Sequence, residues 1–225
     1  MTRSSSCASG FVRLALVLGF CVTQGSCAFF GLWHRVDRAT LELVPNEEKL
    51  LLFDAENGVY IARDEMETAS RAVKDTERAL ARAEDYGKVI EARRKSGAAI
   101  DTREVLDLLE RWNDLRIEMR EEELAVAKQR VETSKARLWA SRARYERAKA
   151  LLIKNHVPEE GTSIDMADFD EQVKEYEADE QEALVALEEL EKGLSSKRAT
   201  YIEVSRKLQA TSKGAYGGPW ADLAD

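Results

Sequence analysis

The sequence predicts an all-α fold: an elongated antiparallel three-helix coiled coil, running up, down and up, with short connections and a flexible tail. Three observations predict it. The composition is that of long helices, with 34% charged residues, 7% aromatic residues and only three prolines. Apolar residues recur at heptad spacing through three separate stretches. The interruptions between them, Ser96–Ile100 and Asn155–Ile164, are short, as antiparallel neighbours require. A chain of 225 residues built this way buries narrow seams rather than one thick core. No stretch reads as a strand.

The first long helix opens at Pro45 and Asn46, with Glu47 and Glu48 in its first turn. Its seam has a large row, Leu52, Val59, Met66, Val73 and Leu80, and a small row, Ala55, Ala62, Ala69 and Ala83. Gly87 falls in the large row and is expected to loosen it. The helix ends in Glu91–Lys95.

Asp101 and Glu104 resemble a capping box and open the second helix, whose apolar positions are Val105, Leu108, Trp112, Leu115 and Met119. The step from Met119 to Leu124 breaks the heptad count, so a local change of supercoil is expected there. Beyond it, Leu124, Val131, Leu138, Tyr145 and Leu152 form a large row, with Ala127, Ser134, Ser141 and Ala148 as the small one. Large against small lets helices approach closely. Pro158 and Gly161 stop this helix. Asp165 and Asp168 then suit the N-terminus of the third. That helix carries Phe169, Val173, Tyr176, Ala183, Leu187, Leu190, Leu194, Tyr201, Val204 and Leu208 in one register. Glu180 and Lys197 interrupt the stripe and are expected to snorkel out of it. Each helix should run about 45–55 residues, or roughly 70–80 Å, and a repeat near 3.5 residues per turn implies left-handed winding.

Residues 1–28 read as a secretory signal: Arg3 and Arg13 supply positive charge, Leu14–Val22 the apolar run and Thr23–Ala28 a small-residue exit. The run is about half the ~20 residues that span a bilayer. All three cysteines, Cys7, Cys21 and Cys27, lie in this leader, which excludes a disulfide framework in the rest. Gly25-Ser26-Cys27 resembles a bacterial lipobox, although Gln24 stands where that pattern has an aliphatic residue. The resemblance implies that Cys27 is lipidated and, since Ala28 is not aspartate, that the anchor is at the periplasmic face of the outer membrane. Ordinary cleavage after Ala28 and an uncleaved anchor are the alternatives. Residues 29–45 are a connector, in which Phe29, Phe30, Leu32 and Trp33 suit either a lipid interface or packing on the helices. Residues 46–212 form the three-helix domain. The tail, 213–225, holds Gly214, Gly217, Gly218 and Pro219, with Tyr216 and Trp220 as aromatics that a partner can contact.

The formal net charge is −8, and the part beyond Cys27, without the two leader arginines, is more acidic still. Such a rod repels phosphate backbones, so nucleic acid is not expected as a partner. Two histidines, His34 and His156, sit far apart on connectors, and His156 lies beside Glu159 and Glu160. No His–Cys cluster or phosphate loop is present in the sequence, so no metal, cofactor, small-molecule substrate or enzyme activity is expected. The acidic runs Glu121–Glu123 and Glu188–Glu191 read as solvated faces paired with basic residues three or four positions away.

The runs Lys135-Ala136-Arg137-Leu138 and Arg144-Tyr145-Glu146-Arg147-Ala148-Lys149-Ala150-Leu151 resemble the ascending arm of the α-hairpin in periplasmic adaptor (membrane fusion) proteins. In that family an Arg, a Leu four residues later and a Ser beyond the turn meet an outer-membrane channel. Arg147 and Leu151 match the first two; Pro158 stands at the serine position, with Ser163 nearest. The family's lipoyl and β-barrel domains are absent from the sequence. With one helix before the hairpin, loop Asn155–Ile164 is expected to return towards the membrane end. The expectation from all of this is a bacterial envelope coiled-coil lipoprotein: a non-catalytic scaffold or spacer, anchored through Cys27, with protein partners and scope for homo-oligomers. The alternatives are an accessory part of a transport or efflux assembly, contacting it through Arg147, Leu151 or Trp220, and a secreted coiled-coil interaction module.

Overall fold

The structure is a computed structural model that describes residues 31–96 and 102–217. The leader with Cys27, the capping candidate Asp101 and the tail aromatic Trp220 lie outside the described residues. The chain divides into two units, Met1–Trp33 and His34–Asp225. Of the first, Gly31, Leu32 and Trp33 are described and carry no helix or strand.

The described part of the second unit is mostly helical, and no strand occurs among the described residues. Two short helices, α1 (Arg38–Glu42) and α2 (Asn46–Lys49), lead through a 3-10 turn at Leu50–Leu52 into α3 (Phe53–Ser96). Then come α4 (Arg103–His156), the single turn α5 (Pro158–Gly161) and α6 (Met166–Thr211). The long helices contain 44, 54 and 46 residues.

The observed caps follow side-chain chemistry. Thr102 caps α4: its hydroxyl accepts from the Val105 amide at 3.3 Å. At α6 the Asp165 carboxylate accepts from the Ala167 amide at 2.9 Å, as its position in the sequence suggests. At Gly161 a Cβ would lie 2.8 Å from Lys154 Cα, so only glycine lets the chain turn this tightly against the end of α4.

α4 packs along both α3 and α6. One apolar cluster joins Ile90 of α3 to Val105, Leu108, Leu109 and Trp112 early in α4 and to Tyr201, Val204 and Leu208 late in α6. The other joins Leu52, just before α3, to Leu152 and Ile153 near the end of α4. Consecutive helices therefore meet in opposite sequence order. Trp112 sits between its neighbours. Its ring meets Tyr86 edge-on (centroids 6.1 Å apart, 85°) and Tyr201 at 5.8 Å, and its indole N–H donates to Ser205 Oγ at 2.8 Å. Each such ring pair adds about 0.5–1.5 kcal/mol beyond its buried area.

The single seam expected on α4 is a correction. Leu138, Leu152, Ala127 and Ser141 are buried as expected, but so are Val126, Thr133, Ala140, Ala143, Lys149, Ala150 and Ile153, which lie off that seam. A helix with a neighbour on each side buries two faces, so one heptad row describes half of it. On α6 the expected stripe is buried or half-buried along its whole length. Glu180 does not snorkel to water: its side chain, 13% exposed, is taken up by Arg137 at 3.0 Å and Arg144 at 3.5 Å. Gly87 lies within the continuous helix α3. It admits Asn113 of α4, whose amide nitrogen would lie 3.0 Å from a Cβ there.

Arginines tie the helices together. Arg137 spans all three, reaching Glu65 of α3 at 2.9 Å and Glu180 of α6. Arg130 meets Glu191 and Arg144 meets Glu177, at heptad intervals along α4. The acidic runs correct the expectation in part. Glu188 pairs locally with Lys192, but Glu122 reaches Lys197, and Glu123 reaches both Arg120 and Arg198. Burial pushes the Glu123 carboxyl up, and the hydrogen bonds from Arg198 and Arg120 outweigh it, leaving the group below its ordinary value of 4.5.

These contacts can be tested by substitution. A carboxyl held low in the folded state stabilises above its unfolded value and loses that contribution as the pH falls through the folded one. Glu123→Gln should therefore melt lower than wild type at pH 7, and the gap should close as a pH series of thermal melts passes below 4.5. Gly193 lies inside α6 with open space around it. Gly193→Ala should stabilise by about 0.5–1 kcal/mol in denaturant titrations, whereas Gly161→Ala should destabilise because its Cβ meets backbone.

Candidate interaction surface

The end of the helical unit where α4 stops and α6 begins gathers most of the irregular backbone. Residues 34–37 make the first set of contacts there. The Gln172 side chain, buried in the first turns of α6, holds the main chain of His34 from both sides. Its oxygen accepts the His34 amide at 2.9 Å and its nitrogen donates to the His34 carbonyl at 3.1 Å. The next anchor is Glu146 of α4, which accepts the Val36 amide at 3.0 Å and is itself paired with Lys149 at 2.6 Å. The Lys149 ammonium lies 4.8 Å from the centre of the Tyr145 ring. The imidazole of His34 rests against the Phe169 ring, 5.7 Å between centroids. A cavity of about 120 Å³ opens between this connector and the turn after α4, lined by Arg35, Val36, Thr40, Ile153, Ser163 and Ile164.

His156 closes the same end. Its Nε2 lies 3.6 Å from Glu48 of α2, rather than beside Glu159 or Glu160. The expected contact residues of α4 are separated by this packing. Arg147 is ion-paired with Asp170 of α6, while Leu151 is exposed. Tyr216, just beyond α6, packs on the cluster around Trp112, and its hydroxyl accepts from Arg93 at 2.7 Å. Residues 212–217 are tied down further by Gly214 N–H to Gln209 O at 2.8 Å and Tyr216 N–H to Ser212 Oγ at 3.1 Å.

Sequence reasoning missed two features. One is the Gln172 clamp, which no spacing rule marks, because its partner is backbone 138 residues away. The other is an outward apolar row on the start of α3: Leu50, Phe53, Tyr60 and Ile61 are all exposed. A signal for it exists. Four consecutive apolar residues, Leu50-Leu51-Leu52-Phe53, cannot all face one core, and only Leu52 does.

Among the described residues no three His, Cys, Asp or Glu side chains are grouped to hold a metal ion, and no helix is long and apolar enough to cross a membrane. Two of the perturbed groups lie among the packed helices. The hydrogen bonds that Arg137 donates to Glu180 and Glu65 raise it, and burial, with Glu56 and Glu146 nearby, raises Tyr145.

The clamp is testable. Gln172→Leu keeps a buried side chain but removes both hydrogen bonds to His34. Amide exchange at residues 34–36 should accelerate about ten-fold or more, the equivalent of one or two hydrogen bonds, while exchange in the middle of α4 stays as in wild type. No protein-family model, curated protein or solved structure matches the chain.

Proposed function

We propose that this chain is a non-catalytic coiled-coil spacer or scaffold of the bacterial cell envelope, anchored to the outer membrane through a lipid on Cys27. In this reading the three long helices form an up-down-up antiparallel coiled coil, wound left-handedly, that keeps a bound protein at a fixed separation from the bilayer. The observation that carries it is the continuous cross-bracing of α4. Apolar clusters near both ends, and arginines at heptad intervals between them, couple α4 to its neighbours along its length. Rigidity over a long span is what a spacer requires, and a helix braced on two sides bends less than a free one. The clamp on His34 and Val36 supports the tethering half of the reading. It fixes the place at which the chain enters the helical unit, so force on the leader side would pass into α4 and α6 through defined hydrogen bonds.

The experiment is cell fractionation of Cys27→Ser with intact-mass measurement of the mature wild-type chain. A lipoprotein shows acyl mass on Cys27, and the substitution moves the protein from the membrane to the soluble fraction. A mature N-terminus at Phe29 without acyl mass, or unchanged membrane retention of the variant, would overturn the anchor.

A further inference from the structure

The outward row on the first turns of α3 is a heptad seam that faces nothing in this chain. Leu50 and Phe53 stand one above the other, because the 3-10 turn eclipses side chains three residues apart. Continuing the count places Leu50, Asn57 and Asp64 at the first core position of successive heptads and Phe53 and Tyr60 at the second. Ile61 flanks Tyr60. The four apolar members are between 52% and 74% exposed, and Asn57 and Asp64 are exposed too. The inward face of the same turns is separate: Leu52 and Ala62 are buried, and Ala55 and Val59 half-buried. So the helix carries two seams, one used and one open.

We infer that the open seam pairs with the same seam of a second copy, the two α3 helices lying parallel. Three arguments choose this occupant. The first is charge. Lys49 and Glu56 precede the core positions, and Asp54 and Ile61 follow them. Parallel pairing sets Lys49 of each copy against Asp54 of the other, an attractive contact made twice, sets Glu56 against the uncharged Ile61, and ends at Asp64, where the like charges of the two copies close the seam. Antiparallel pairing would instead bring Lys49 to Arg63 and Glu56 to Glu56, both repulsive. The second is Asn57. In the parallel register the two Asn57 amides meet and can hydrogen-bond to each other, the device that fixes register in parallel pairs; in the antiparallel one Asn57 faces Phe53. The third is area. Four large side chains left more than half exposed offer roughly 500 Å² per copy, so that about 1,000 Å² would be covered in the pair, the lower bound of a specific interface. The association is therefore weak in solution and strengthened wherever copies are concentrated side by side. A bilayer is a poorer occupant. Residues 43–64 hold Glu47, Glu48, Asp54, Glu56 and Asp64 against only Lys49 and Arg63, which anionic headgroups repel.

The pairing does not depend on the lipid anchor, so the two proposals fail separately. The test uses the full chain expressed in cells with Asp64→Cys, a change at an exposed core position that leaves the apolar row intact. Mild oxidation should join two copies through a disulfide at position 64. Mass spectrometry of the cross-linked peptide identifies that bond, so that the leader cysteines do not interfere. Adding Phe53→Asp and Tyr60→Asp should lower its yield at least ten-fold. Both side chains are exposed, and an unchanged thermal melt shows that the fold survives. Lys49→Glu alone and Asp54→Lys alone should each reduce the yield, and the two together should restore it. Absence of the cross-linked peptide, or a yield indifferent to Phe53→Asp and Tyr60→Asp, overturns the inference. So does a purified chain that sediments as a single copy throughout the micromolar range while those two substitutions release it from phosphatidylcholine vesicles, which would give the row to a lipid surface.

Discussion

The arrangement rests on one constraint: α4 must bury two faces at once. A helix packed on one side can fill its seam with leucine and leave the rest to charge. A helix packed on two sides has too little outward surface for that, and close approach of both neighbours demands small side chains where the backbones converge. Ala140, Ala143 and Ala150 are completely buried, and Thr133 and Ser141 nearly so. The buried hydroxyl of Thr133 is satisfied within the packing, its one hydrogen shared between the carbonyls of Gln129 and Ala183, at 3.0 and 3.1 Å. Near the start of α4 the space between helices is filled by bulk instead, by Trp112 and its two tyrosines.

Charge then does what small residues cannot, which is to distinguish one register from another. Alanine rows slide with little penalty, since each fits the hole of the next. Arginines at 130, 137 and 144 meet acidic partners on α6, and Arg137 also meets Glu65 on α3. Exposed pairs of this kind stabilise by about 0–1 kcal/mol each. Their value lies in the alternatives. A shift of α6 by one heptad would set Glu191 against Glu123 in one direction and Arg198 against Arg130 in the other, and like charges at that distance repel.

The same contrast separates the two ends of the helical unit. Near Trp112 the packing is aromatic. Near His34 it is polar, with main chain held by Gln172 and Glu146, a small cavity, and an open apolar row close by on α3. An end built from side-chain-to-backbone hydrogen bonds is suited to receiving a connector whose own sequence has no helical seam. The envelope-scaffold reading and the pairing of α3 both draw on this end, through different residues.

The helical class, the three long segments, the inward seams of α3 and α6 and the Asp165 cap were legible in the sequence, because local periodicity and capping chemistry act within a few residues. The leader and its Cys27 belong to the sequence reading alone. Three things were decided only by tertiary structure. Whether a row of alanines is core or merely helix-forming depends on how many neighbours a helix has, so the second buried face of α4 could not be read from one heptad count. Which acidic residues serve the interior depends on register between helices, which put Glu123 and Glu180 under arginines distant in sequence. The grip of Gln172 on the His34 backbone joins residues that share no pattern, since any main chain offers the same amide and carbonyl and only the fold decides which one arrives.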